Sequence, residues 1–301
     1  MSAFVHNFEW TFAVPVERVF TALSDATELQ QWFAEFVAVE LRNGGNFRFW
    51  GRHTFGAPTR ETATQRLIAY DPPHVLAYTW NLMGQSTTVR FGLDSPEESP
   101  ATTRVKGSHT FSRLPIVDRA TAFVDDLWQL HWSNLYSHLF DAGGLLLPDY
   151  SDPSPEVRLA ILIDAPRERV FQSLIDPVLM RQWLDDTAYP VVIDVDSRPG
   201  GTYSFGWTAM WEGKAVPTGP ARIIELVPNE RLVTDWIEWH GDPSVPLQRI
   251  TWLLEAEGSQ TRLTLIHDRF GRTVDISSYP FGWWDYLQKL QLFLAGASGI
   301  R

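Results

Sequence analysis

Two stretches of this 301-residue chain resemble each other in the same order from end to end, so the fold has to be built twice. Ala13-Val14-Pro15-Val16-Glu17-Arg18-Val19-Phe20 aligns with Asp164-Ala165-Pro166-Arg167-Glu168-Arg169-Val170-Phe171 at an offset of 151 residues. The same offset pairs Leu23-Ser24-Asp25 with Leu174-Ile175-Asp176, and Gln31-Trp32-Phe33 with Gln182-Trp183-Leu184. At an offset of 156, Gly44-Gly45-Asn46-Phe47-Arg48-Phe49 matches Gly200-Gly201-Thr202-Tyr203-Ser204-Phe205, and the stretch from Arg66 to Trp80 matches that from Arg222 to Trp236. His109 then meets His267 at an offset of 158, and Trp128 meets Trp283 at 155. Small loop insertions account for the drift. The join is the Pro-rich, polar run Leu147 to Pro155, a short stiff connection, which puts the expected domains at 1–150 and 151–301.

Each copy reads as one series of elements. A first strand, residues 8–13 or 157–163, meets Pro15 or Pro166, a residue suited to the first helical position because its missing amide would have no partner there. Val19, Phe20 and Leu23, like Val170, Phe171 and Leu174, fall on one helical face. Asp25 with Glu28, and Asp176, then signal a second short helix ending near Trp32 or Trp183. Phe47, Phe49 and Phe55 share one strand parity, as do Tyr203, Phe205, Trp207 and Trp211. Turn clusters such as Asp71-Pro72-Pro73 and Gly241-Asp242-Pro243 cut the rest into antiparallel strands. A long amphipathic helix closes each copy, carrying Phe123, Leu127, Trp128, Trp132, Leu135 and Leu139 before Gly143-Gly144, or Trp283, Leu287, Leu290 and Leu294 before Gly296. The class is α+β: a curved antiparallel sheet that must wrap around the helix to cover its apolar stripe, leaving room for a cavity.

Composition removes whole classes of chemistry. With no cysteine there are no disulfides, thiolate metal sites or cysteine nucleophiles, and a cytoplasmic location is expected. The start of the chain shows no signal-peptide pattern, and no 18 apolar residues run together, so membrane insertion is not expected. A net charge of −11 opposes nucleic acid, whose binding depends on neutralised phosphates. His131 and His138 are seven apart, outside metal-ligand spacing, and neither a Gly-x-Ser-x-Gly elbow, a P-loop nor a dinucleotide fingerprint occurs. No metal and no cofactor are expected.

What remains is aromatic. The 14 Trp, 18 Phe and 8 Tyr either pack a core or line a site, since each ring buries about 150–250 Å² and ligand pockets are mostly apolar with few polar groups. The candidate ligand-binding rings are Trp32, Phe49, Trp80, Trp128 and Trp132 in the first copy. In the second they are Trp183, Phe205, Trp207, Trp211, Trp236, Trp252 and Trp283. His109 and His267 occupy matching strand positions, either as polar groups facing a ligand or as hydrogen-bonded structural residues. His131, on the closing helix between Trp128 and Trp132, faces either the cavity edge or water. Arg66, Arg104, Arg222 and Arg262 recur as pairs that could grip a carboxylate or simply be solvated.

The pattern apolar-Pro-x-Glu-Arg-Val-Phe, then Asp, Gln-Trp-Phe/Leu, Gly-Gly-x-aromatic and a Trp-bearing closing helix resembles the Hsp90-ATPase-activator-homologue type of the START/Bet v 1-like (SRPBCC) superfamily, once per half. The resemblance implies a helix-grip fold: a seven-stranded antiparallel sheet around the long carboxy-terminal helix. Relatives bind lipids, sterols, hormones and polyketides, and some are polyketide cyclases or self-resistance proteins. Fold membership does not choose among these roles. The separate amino-terminal domain of the Hsp90 activator has no counterpart in these residues, which moves a chaperone-assisting role behind the others.

The expected function is therefore binding of one hydrophobic small molecule, polyketide-, polyene- or lipid-like, by a monomer, in secondary metabolism or self-resistance. A stiff join would let two cavity mouths form one long site. The alternatives are a cyclase or aromatase using a cavity His or Arg, and an interaction module. Catalysis is less favoured than binding, because no polar constellation beyond one His and two Arg recurs in both halves.

Overall fold

The protein is described here by a computed structural model that places residues 3–116, 119–184 and 192–296. The chain separates into two compact units, Met1–Asp152 with Thr273–Phe281, and Pro153–Arg272 with Gly282–Arg301.

In the first unit the order is β1 (Phe4–Phe12), α1 (Val16–Ser24), α2 (Ala26–Trp32), β2 (Phe36–Val39), β3 (Phe47–Trp50), β4 (Leu67–Asp71), β5 (Val75–Leu82), β6 (Gln85–Asp94), β7 (Thr103–Phe111) and α3 (Ala120–Phe140). Five strands pair antiparallel in the order β1-β7-β6-β5-β4, and the β2–β3 hairpin continues them through a bridge from Asn46 to Arg66. Five and two make the seven strands of a helix-grip sheet. Inward residues alternate strictly, as in β7, where Val105, His109 and Phe111 are buried and Lys106 is exposed. They meet Val124, Leu127, Trp128 and Leu135 of α3, all buried.

The second unit repeats the plan with β8 (Val157–Ile163), α4 (Arg167–Ile175), α5 (Pro177–Leu184), β9 (Asp194–Val195), β10 (Tyr203–Ser204), β11 (Thr208–Trp211), β12 (Lys214–Pro217), β13 (Ile223–Val227), β14 (Arg231–Trp236), β15 (Gln248–Glu257) and β16 (Gln260–Asp268). A short 3-10 turn, Thr273–Ile276, precedes the closing helix α6 (Tyr279–Leu294). The main sheet runs β13-β14-β15-β16-β8, and a bridge from Thr202 to Arg222 joins the β9–β10 hairpin to it as Asn46–Arg66 does in the first unit.

Equivalent local devices hold equivalent turns. Gly45 and Gly201 lie against carbonyl oxygens, where a Cβ would come within 2.2 Å of Glu40 O and 2.1 Å of Asp196 O. Thr103 donates to Val14 O and Thr261 to Ala165 O, each at 2.7 Å, pinning the start of one strand to the entrance of the first helix. Asp25 caps α2 by accepting from Thr27 N at 2.9 Å and Glu28 N at 3.1 Å, and Asp176 repeats this with Val178 N at 2.8 Å. Asp25→Ala is expected to cost the first unit about 1 kcal/mol. Urea unfolding checks it: a lowered midpoint at unchanged slope is the expected result.

Several local expectations are corrected. Pro15 and Pro166 are N-caps with extended backbone, not first-turn residues, because their carbonyls already accept from the first turn. The Glu28 side chain takes no part in the cap that Asp25 makes; its carboxylate holds Arg18 at 2.8 Å and His138 at 2.6 Å, tying α1, α2 and α3 together. Burial disfavours its charged form, but these two partners outweigh that and hold its pKa below the usual glutamate value. The first strand starts at Phe4 instead of Phe8, and Phe55 lies beyond the end of β3. The continuous strand expected over residues 203–211 is broken after Ser204, and Trp211 falls in a separate β11–β12 hairpin. Asp141, at φ 50°, ends α3 ahead of Gly143.

Candidate functional site

Each sheet turns a set of rings toward its closing helix. In the first unit Trp32, Phe49, Trp80 and Trp128 are buried and touch one another or share neighbours. Trp80 meets Phe49 edge-on at 5.2 Å and Trp128 edge-on at 6.4 Å, and Phe33 meets Phe49 at 4.9 Å. Such edge-to-face packing is the favoured geometry of ring quadrupoles. Trp132 is half-buried farther along α3, 5.7 Å from Tyr136 and apart from this set.

His109 stands in a complete hydrogen-bond chain. Trp128 Nε1 donates to His109 Nδ1 at 3.2 Å. Thr87 Oγ1 gives its proton to Trp80 O at 2.6 Å, so it is left to accept from His109 Nε2 at 2.7 Å. The imidazole is therefore neutral with its proton on Nε2, and burial pushes its pKa down to about 3. His267 repeats the arrangement: Trp283 Nε1 donates to its Nδ1 at 3.1 Å, and its Nε2 donates to Gln248 Oε1 at 2.8 Å. Burial holds its pKa well below the ordinary value. Gln248 sits opposite Trp236 on the neighbouring strand, as Thr87 sits opposite Trp80. Of the two readings open from sequence, the geometry shows the hydrogen-bonded one for this pair.

His131 differs. It is 5% exposed and enclosed by rings, with centroids 4.6 Å away at Phe33, 5.5 Å at Trp128, 6.2 Å at Trp80 and 6.4 Å at Trp32. Neither ring nitrogen has a hydrogen-bond partner. Burial alone lowers its pKa to about 3, so it is neutral at pH 7. It faces the interior of the unit and not water.

In the second unit Trp183, Phe205, Trp236, Trp252 and Trp283 are buried in the corresponding places. The helix position of His131 is taken by Tyr286, which is half-buried and lies 6.0 Å from Phe205 and 6.3 Å from both Trp183 and Trp207. Trp207 is 40% exposed, and Leu184 replaces Phe33. The rings of this unit thus reach solvent along Trp207 and Tyr286. Trp211, half-exposed on its hairpin, stands apart.

Sequence reasoning missed Phe33, Thr87, Gln248 and Tyr286. Tyr286 was within reach, because the offset of 155 that pairs Trp128 with Trp283 also pairs His131 with it. Thr87 and Gln248 carry no signal until strand register places them beside a histidine. The recurrent arginines are solvated: Arg66 and Arg222 are exposed, Arg104 pairs with Asp94 at 2.9 Å and Arg262 with Glu257. Among the described residues no three His, Asp or Glu gather as metal ligands, and no helix is long and apolar enough to cross a membrane.

Residues 13–139 and 164–295 each match the sequence profile of one family, described as Activator of Hsp90 ATPase homolog 1-like protein. The chain belongs to this family. It is a tandem AHSA1-like protein, with one helix-grip domain in each match. No curated protein matches it. Among solved structures, DynU16, from the dynemicin biosynthetic locus, aligns over 96% of this chain and 98% of its own, at 15% identity and a TM-score of 0.38. CalU16 from Micromonospora echinospora aligns over 46% and 77%, at 20% identity and 0.36. The Aha1 dimer from Colwellia psychrerythraea aligns over 48% and 99%, at 19% identity and 0.37.

Proposed function

We propose that the tandem AHSA1-like chain binds a hydrophobic small molecule of the polyketide, polyene or lipid-like class against its aromatic interior, with His131 as the polar contact. The orphaned imidazole carries this reading. Buried polar groups in native proteins are almost always hydrogen-bonded, and leaving one unpaired costs about 1–3 kcal/mol. His109 and His267 obey that rule in the same protein, whereas His131 keeps one donor and one acceptor open inside a cage of rings. A ligand hydroxyl or carbonyl would complete it. In the second unit, the solvent-reaching edge at Trp207 and Tyr286 supports entry of an apolar chain. Binding is favoured over acid–base catalysis because a pKa near 3 makes His131 a weak base at neutral pH, and no charged group contributes to its shift. Cytoplasmic residence as a monomer belongs to the same reading.

The test is titration with cis-parinaric acid, a fluorescent polyene fatty acid, in wild type and His131→Phe. The variant keeps a ring but offers no hydrogen bond. Its affinity is expected to fall about tenfold, equivalent to about 1.4 kcal/mol. Its stability without ligand is expected to rise by about 1 kcal/mol, since an unpaired polar group has been removed. An affinity unaltered by the substitution, or no binding by wild type, would count against the proposal.

A further inference from the structure

The second unit has a cavity of about 600 Å³ at the edge of its sheet, beside Trp207. Strand parity sets which of residues 202–206 reach it. Tyr203 and Phe205 point toward the helices, Tyr203 donating its hydroxyl to Leu174 O and Phe205 packing on Tyr286. The cavity is lined by their neighbours Thr202, Ser204 and Gly206, by Ile237 next to the inward Trp236, and by Trp207, whose ring also meets Trp236 at 6.2 Å and Tyr286 at 6.3 Å. One wall comes from the β11–β12 hairpin through Thr208 and Pro217, an element for which the first unit has only turns.

The floor is rigid backbone. Gly206 lies so close to the next segment that a Cβ there would come 1.7 Å from Thr218 O. Thr218 is tied by its amide to Trp207 O at 2.8 Å, and Asp235 accepts from Ala221 N and Arg222 N at 3.0 and 2.7 Å. The size is in the middle of the range for small-molecule sites.

The chemistry of the wall is specific. Among the described residues no charged side chain lines it, and the hydroxyls of Thr202, Ser204 and Thr208 make no hydrogen bond to the protein. Pro217 and Pro220 present flat C–H surfaces beside them. Several free hydroxyls alternating with apolar rings, without an ion, suit a molecule that has both hydroxyl groups and C–H faces and no charge. We infer that this cavity is a second binding site, sharing Trp207 with the helix-side rings of its unit, for a neutral polyhydroxylated molecule of the sugar or polyol class.

Saturation-transfer NMR on the full chain tests this with methyl β-D-glucopyranoside as probe and glucose 6-phosphate as its charged counterpart. The neutral probe is expected to give saturable transfer with a dissociation constant of about 1 mM, the phosphate at least fivefold weaker. Ser204→Leu should abolish transfer. Thr202→Val/Thr208→Val, which keeps side-chain shape and removes two hydroxyls, should weaken it at least fivefold while circular dichroism and cis-parinaric acid affinity stay at wild-type values. Absence of transfer in wild type, equal binding of the phosphate, or transfer retained in both variants would overturn the assignment. Because the cis-parinaric acid test turns on His131 in the first unit, failure of either site leaves the other result standing.

Discussion

Trp128→Ala is expected to destabilise the first unit by about 3–5 kcal/mol, the range for removing a buried tryptophan or phenylalanine. The ring stacks on Phe8 at 4.6 Å and packs on Trp10, Trp80, Phe91, His109 and His131 with centroids 5.5–6.4 Å away. Its indole N–H is also the donor to His109 Nδ1, which the substitution leaves buried and unpaired. Trp128→Phe separates the two losses: it retains much of the apolar area but orphans His109, and is expected to cost about 1–3 kcal/mol. Urea unfolding, analysed with one transition for each compact unit, supplies the measurement. A loss below about 1 kcal/mol for the alanine variant would mean that the rings are loosely packed around an open space.

Stability is expected to fall as pH drops from about 6.5 toward 3. His109 and His131 have pKa values near 3 when folded and near 6.5 when unfolded, so below 6.5 the unfolded chain binds protons that the native chain refuses. The native state therefore keeps its full advantage above 6.5 and loses it progressively through that window. Each histidine contributes a slope approaching about 1.4 kcal/mol per pH unit. His267 acts in the same direction in the second unit. Stability against pH in His131→Phe discriminates this cause from the titration of His6 and the carboxylates, since that variant should lose only the share that His131 supplies, approaching about 1.4 kcal/mol per pH unit between pH 6 and 4. An unchanged slope would show that His131 is not buried neutral.

Repeat periodicity made the architecture readable. Strand, two short helices, sheet and closing helix recur because each apolar stripe, such as Val19-Phe20-Leu23 or Leu127-Leu135, can be buried only against a sheet of matching parity. β8 starts and stops where the alternation of residues 157–163 does, and α6 ends just before Gly296. The candidate rings were legible as inward-facing, but their roles were not. Trp207 and Trp211 share parity with Tyr203 and Phe205, yet a broken strand sends Trp211 to a separate hairpin and leaves Trp207 at the solvent edge. Periodicity carries no information on where a strand breaks when Gly206 lets another backbone segment approach.

What the sequence by itself determined is the duplicated helix-grip plan and the aromatic, cysteine-free repertoire inside it, because these follow from periodicity and composition. Only the tertiary structure decided what each histidine does. His109, His131 and His267 are alike as letters, but a hydrogen bond needs a partner within about 3 Å. Strand register supplies Thr87 and Gln248 to two of them, whereas the α3 position of His131 surrounds it with rings that offer its nitrogens no partner. The cavity of the second unit likewise exists through the meeting of two hairpins and a glycine contact, which no single stretch of the chain encodes.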